Sequence, residues 1–223
     1  MIGIIVATAS ELEALNQVLG TKAAKPMEYV TGRIGDTEVV GVQGGIGKVN
    51  AALCAQKLID LYHPEAIINV GVAGALEKSL HVGDIVISTD AVQHDFDTTV
   101  FGDAPGQISG FDVLAFPADP ALIEKAEAAA AKLGYHYVTG RVASGDQFIE
   151  AKEKKDYIIS QFGAACTEME GAAMAQAAYV NGVPFVILRA ISDGADEGAI
   201  MSYTEFVVLA AKKSTALLKE MLS

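Results

Sequence analysis

Two carboxylates flank a methionine in Thr167-Glu168-Met169-Glu170-Gly171-Ala172-Ala173, just ahead of a run of very small residues. A strand running through both glutamates would put them on one face, whereas a helix starting at Glu170 would send them apart. The Ala-rich run after Gly171 favours the helix. A carboxylate at a helix start is stabilised by the helix dipole, so Glu170 reads either as an end cap or as a functional acid. Arg189-Ala190-Ile191-Ser192-Asp193 brings a cation, a hydroxyl and a carboxylate to the end of an apolar run. It reads either as an Arg-Asp ion pair at a turn or as a catalytic group. Glu11 is equally two-sided, because Ser10 ahead of Glu11 and Glu13 looks like a helix N-cap with acids in the first turn.

Glycines mark further candidates. Gly44-Gly45-Ile46-Gly47-Lys48 and Gly71-Val72-Ala73-Gly74-Ala75 resemble anion loops, but neither has the full dinucleotide or P-loop spacing. The chain has only three arginines, Arg33, Arg141 and Arg189, so close backbone approach to a neutral sugar or base is the better use of these glycines. Ser144-Gly145-Asp146-Gln147-Phe148-Ile149 places an aromatic behind another glycine, where Phe148 reads as core or as a ligand contact. His94-Asp95-Phe96-Asp97 lacks a second histidine within a few residues, and no metal site or other cofactor is expected.

The elements that must carry these residues are legible from periodicity. Apolar runs at 2–6, 66–70, 84–87 and 184–188 read as strands buried on both faces. Helix-forming composition spans 46–62, 120–133, 170–181 and 202–222, with Pro64 and Gly182 just past two of these segments. Residues 27–43 read as a hairpin turning at Gly35-Asp36. Residues 98–117, rich in Gly, Pro and Asp without periodicity, read as one long loop. The alternation predicts an α/β fold, a three-layer α/β/α sandwich around a mixed, mostly parallel central sheet. In such sheets ligands collect beyond the carboxyl ends of the strands, where the glycine and acid motifs fall.

At 223 residues, 51% of them hydrophobic, the chain can bury a core as one domain over 1–223. A formal net charge of −12 repels phosphate backbones and anionic lipid, so neither nucleic acid nor a membrane is an expected partner. Cys54 and Cys166 have no paired spacing, which points to a reducing cytoplasm. The apolar start Met1 to Ala9 lacks a basic leader and meets Glu11 at once, unlike a signal peptide. No apolar run approaches the ~18 residues of a membrane span.

Taken in order, IGIIVATASELEAL, GGIGKVNAA, IINVGVAGAL, GDIVIS, SGDQFI, TEMEGAA and VPFVILRAISDGAD resemble the nucleoside phosphorylase and nucleosidase superfamily. The likeness is strongest to the bacterial 5'-methylthioadenosine/S-adenosylhomocysteine nucleosidases and runs nearly end to end. It implies an N-glycosyl hydrolase acting on a small adenine nucleoside. Asp193 would protonate adenine N7, with Ser192 and Arg189 orienting it, and Glu11 would activate water. Glu170 would accept hydrogen bonds from the ribose hydroxyls, with Met169 beside it. Phe148 would stack on the purine, the backbone of Ile149 would read the base edge, and Ile46 and Val72 would line the sugar side. The resemblance also implies a homodimer in which the Phe101 loop completes the neighbour's 5' pocket. Thr8 and Val72 stand where the family usually has methionine and serine, and the loop after Phe101 lacks its usual tyrosines. These departures leave open another 5'-substituted adenosine such as aminofutalosine, and a phosphorylase of the same fold is the other enzyme reading.

Overall fold

The structure, a computed structural model, describes residues 1–194 and 199–223. In chain order the elements are β1 (Ile2–Val6), α1 (Ala9–Leu19), β2 (Val30–Ile34), β3 (Thr37–Gln43), α2 (Lys48–Tyr62), β4 (Ala66–Ala75), β5 (Ile85–Gln93), β6 (Phe116–Pro117), α3 (Pro120–Lys132), β7 (Tyr137–Ser144), α4 (Lys152–Phe162), β8 (Cys166–Glu168), α5 (Gly171–Val180), β9 (Phe185–Asp193) and α6 (Ala199–Leu222). The expected hairpin is present as β2 and β3, antiparallel around Gly35, whose φ of 55° is one that glycine adopts without strain. Within 98–117 the chain forms a 3-10 turn at Thr99–Phe101 and the short β6. Residues 195 and 196, the end of the VPFVILRAISDGAD motif, lie outside the described residues.

The strands form one mixed sheet. β1 runs parallel to β3 and to β4, and β4 runs parallel to β9. β9 then pairs antiparallel with β5, β5 parallel with β7, β7 parallel with β8, and β8 antiparallel with the end of β4. Strands β4, β9, β5, β7 and β8 therefore close a ring. Register shifts in β4 between Ala73 and Gly74, and in β5 between Ser88 and Ala91, supply the local bends that such closure requires.

Strand alternation explains where the core lies. Ile4, Ile68 and Leu188 belong to one apolar cluster, with Leu12 and Leu15 of α1, Leu122 and Ala126 of α3, and Leu217 and Leu218 of α6. Their strand neighbours Ile5, Ile67 and Ile187 belong to another, with Cys54 and Leu58 of α2 and Met174 and Ala178 of α5. Fully burying each such isoleucine or leucine contributes ~1.5–3 kcal/mol. An exposed ion pair such as Arg33–Glu38 is worth at most about 1 kcal/mol, so burial dominates the stability of the strands. β4 and β9 run on beyond the apolar segments that announce them, through Gly71-Val72-Ala73-Gly74-Ala75 and Arg189-Ala190-Ile191-Ser192-Asp193 respectively. Motifs expected to follow the strands thus lie within them.

Candidate active site

Glu11 is held at the start of α1 by the helix itself. Thr8, in extended conformation, is the N-cap, and its hydroxyl accepts from the Glu11 amide at 3.3 Å. Glu11 Oε2 in return accepts from the amides of Thr8 and Ala7, each at 2.8 Å. The cap is therefore Thr8 rather than Ser10, and the pair forms a capping box with Glu11 at the third helical position. Glu11 Oε1 reaches across the sheet to accept from the Val72 amide at 3.1 Å. The side chain is 2% exposed.

The two glutamates around Met169 divide the roles that the sequence offered to one. Glu170 stands at the helix start, yet its side chain makes no cap hydrogen bond. Glu168 caps instead, accepting from the Gly171 amide at 2.8 Å and the Glu170 amide at 3.1 Å. It also accepts from the Ser144 hydroxyl and forms a buried ion pair with Arg189. Glu170, freed from capping, accepts from the Gly47 amide at 2.9 Å. Burial and the neighbouring Glu168 charge push its carboxyl up to about 8, against the opposing pull of Arg189 and the Gly47 amide.

Arg189 corrects the expectation attached to it. It lies level with Gly71 of β4 and donates to Glu168 and, at 2.6 Å, to Asn69, with Glu170 at 3.8 Å. It makes neither a turn ion pair with Asp193 nor a wall of the cavity. A Cβ on Gly71 would sit 1.8 Å from Arg189 Nη1 and 2.7 Å from Glu11 Oε1, so this glycine makes the room for both groups. Asp193, 3% exposed at the end of β9, receives the Ser192 hydroxyl at 2.8 Å on Oδ2.

One cavity of about 230 Å³ is lined by Glu11, Glu170 and Asp193 together, three acids from β9 and the starts of α1 and α5. Ile46, Val72, Phe148, Ile149, Met169 and Ser192 also line it. Phe101 does not: it stands 84% exposed on its 3-10 turn. Tyr203 of α6 is a wall that the sequence did not announce. Its ring meets Phe148 edge-on, with centroids 5.7 Å apart and planes at 80°, and burial together with the charges of Glu11, Glu170 and Asp193 pushes its phenol up, keeping it a donor. Nothing in the spacing pointed to Tyr203, ten positions beyond Asp193 on an amphipathic helix. Thr8, Gln147, Thr167 and Glu168 complete much of the polar lining. Among the described residues no three His, Cys, Asp or Glu side chains are grouped to hold a metal ion. Of His94-Asp95-Phe96-Asp97, Asp95 pairs with Lys48 and Asp97 accepts from Thr99.

Residues 1–223 match the sequence model described as the phosphorylase superfamily. The chain belongs to the phosphorylase superfamily. Within the superfamily it is 42% identical over 243 residues to the 5'-methylthioadenosine/S-adenosylhomocysteine nucleosidase of Treponema pallidum, covering 97% of this chain and 90% of that relative. The nucleosidase of the same name from Neisseria meningitidis, solved in complex with methylthio-immucillin-A, superimposes with a TM-score of 0.93 at 37% identity, covering 99% of this chain and 97% of that one. Futalosine hydrolase of Helicobacter pylori superimposes with a TM-score of 0.91 at 32% identity, covering 99% and 96%.

Proposed function

We propose that the protein is an N-glycosyl hydrolase that releases adenine from 5'-methylthioadenosine and S-adenosylhomocysteine. The observation that carries the reading is the meeting of Glu11, Glu170 and Asp193 on one cavity, in a chain 42% identical to a nucleosidase of that name. Cleavage breaks the bond between C1' and N9, with the electron pair leaving on adenine, so an acid must protonate the base to spare an anionic leaving group. Asp193 supplies that proton to N7. The Ser192 hydroxyl, donating to Oδ2, orients the carboxyl group. As the bond breaks the ribose becomes cationic, and Glu170 holds its hydroxyls and in its ionised form stabilises the cation. Glu11, fixed by three backbone amides, takes a proton from the water whose oxygen bonds to C1'. Phe148 stacks on the purine, the Ile149 backbone reads its edge, and Met169, Ile46 and Val72 face the sugar.

Among the described residues no arginine lines the cavity, which disfavours phosphate as the nucleophile and a phosphorylase as the enzyme. A second substrate reading has its own support. Thr8 and Tyr203, both hydroxyl-bearing, line the cavity, and one structural relative is a futalosine hydrolase, so a more polar 5' substituent such as that of aminofutalosine also fits.

We read the chain as one domain over 1–223, its two largest apolar clusters as the two faces of a three-layer sandwich, and its setting as the cytoplasm. The solvent-facing Val49, Leu53, Val100 and Phe101, between 60% and 85% exposed, support a homodimer in which Phe101 closes the neighbour's 5' pocket. The test is chromatography of products from methylthioadenosine, S-adenosylhomocysteine and aminofutalosine, with and without phosphate. Free adenine and free 5-substituted ribose are expected without phosphate. Asp193→Asn and Glu11→Gln should each lower kcat by about 10²–10⁴-fold with the fold retained. Formation of a ribose 1-phosphate, or full activity in either variant, defeats the assignment.

A further inference from the structure

We propose that Lys48, Asp95 and Asp146 form a clamp outside the cavity that positions Gly47 against Glu170 and the Phe148–Ile149 segment over the nucleoside. The proposal rests on the hydrolase reading and names positioning residues for that reaction; none of the three lines the cavity.

The contacts close a ring. Lys48 Nζ donates to Asp95 Oδ1 at 2.5 Å, Asp95 Oδ2 accepts from the Asp146 amide at 2.8 Å, and Asp146 Oδ1 accepts from the Lys48 amide at 2.8 Å. Three separate segments are tied in this way: the start of α2, the turn after β5 and the loop after β7. The ion pair is well sheltered, its side chains 17% and 14% exposed, so water competes weakly for it. Burial raises the Asp95 carboxyl, but the Lys48 ammonium and the Asp146 amide outweigh burial and hold it below its ordinary value, as a charged member of the ring.

Two of the tied segments lead directly to the cavity, and the third braces one of them. Gly47, next to Lys48, donates to Glu170 Oε1 at 2.9 Å. Its φ of 97° is one that glycine adopts without strain, and an added Cβ would come 3.0 Å from Asp146 Oδ1, so Asp146 packs closely on this turn. Asp146 is followed by Gln147, Phe148 and Ile149, all on the cavity wall. The third segment is pressed against the second, since a Cβ on Gly145 would come within 2.4 Å of His94 Nε2. Loops that present both a ribose-binding carboxylate's donor and the purine platform are loops whose displacement by about 1 Å costs turnover. The ring is what fixes them.

Two variants with opposite charge changes separate positioning from simple electrostatics. Lys48→Met removes a cation and Asp95→Asn removes an anion, so a direct field on Glu170 would move its ionisation in opposite directions. Loosening the ring withdraws the Gly47 amide in both cases. The other groups facing Glu170, namely Glu168, Arg189, Glu11 and Tyr203, are unchanged in both. The experiment measures kcat, KM and the pH profile of kcat/KM on methylthioadenosine, with thermal unfolding as the fold control. Both variants should lose about 10–100-fold in kcat/KM, both should move the acid limb of the profile to higher pH, and Lys48→Arg should recover most of the loss. Opposite shifts of the limb, or wild-type kinetics in either variant, overturn the clamp. If Asp95→Asn unfolds below the assay temperature, Lys48→Met against Lys48→Arg decides, because a failure of arginine to restore kcat/KM overturns the clamp equally. A wild-type enzyme that releases no adenine from any 5'-substituted adenosine removes the hydrolase reading itself. An active wild type with indifferent variants removes only the clamp.

Discussion

At the scale of residues, Glu168 and Glu170 are two positions apart and do different work. Glu168 is structural: it caps α5 and pairs with Arg189, the two side chains being 3% and 1% exposed. Neutralising one member of such a pair leaves the other charge buried, so Glu168→Gln should cost about 3–5 kcal/mol in denaturant unfolding. A loss under about 1 kcal/mol would show the pair to be dispensable. Glu170, pushed up to about 8 chiefly by burial, makes stability depend on pH. A carboxyl with an unfolded pKa near 4.3 and a higher folded one binds its proton more tightly in the folded protein, so the free enzyme loses stability as pH rises between those values. Glu170→Gln removes that loss. Its melting temperature relative to wild type should therefore become more favourable between about pH 5 and pH 8, and a difference independent of pH would refute the shift. The sequence pointed to Glu11, Glu170 and Asp193 because each stands in a motif. It misplaced Arg189 because nearness in sequence is not nearness in a strand: four residues of β9 span about 13 Å, enough to carry the guanidinium away from Asp193 and down to Glu168.

At the scale of elements, what was legible followed from unbroken patterns. The helices expected at 46–62, 120–133, 170–181 and 202–222 appear as α2, α3, α5 and α6 with small shifts at their ends. β7 was missed because Thr139, Gly140 and Arg141 interrupt its apolar run, and α4 because only Ile158 and Phe162 of its residues are buried. Ring closure was invisible for a different reason. Burial on both faces says that a strand is central, not which strand lies beside it. The parallel pairing of β4 with β9 has a consequence at Gly71, the point level with Arg189 where the Arg189 and Glu11 side chains both approach backbone. Gly71→Ala should overpack this site by about 1–3 kcal/mol and lower turnover as well, because Glu11 cannot keep its seat. Urea unfolding and kcat measured on the same preparation check both parts. Retention of wild-type kcat would mean that Glu11 is not held in the space that Gly71 leaves.

At the scale of the whole molecule, the exposed apolar residues have to be weighed against a net charge of −12. Two such chains repel, and only the burial of apolar surface offsets that repulsion at close range. Leu53 and Val49 on α2, with Val100 and Phe101 on their turn, are among the most exposed apolar side chains and offer such a surface. Salt screens charge without weakening apolar burial, so a homodimer built on this surface, as proposed above, should tighten as salt is raised from about 0.01 M to 0.15 M, where the Debye length falls from about 30 Å to 8 Å. Leu53→Glu puts a further anion into the contact and should yield monomers in sedimentation velocity at micromolar protein. Phe101→Ala separates assembly from substrate binding. Phe101 does not line its own chain's cavity, and a role in closing the neighbour's 5' pocket predicts a KM for methylthioadenosine raised by about 10-fold or more with kcat nearly kept. The Leu53→Glu monomer should show the same rise in KM, since it loses the same residue by losing the partner. A monomer with wild-type KM would place the 5' substituent wholly within one chain, and Tyr203 and Thr8 would then be the groups that choose it.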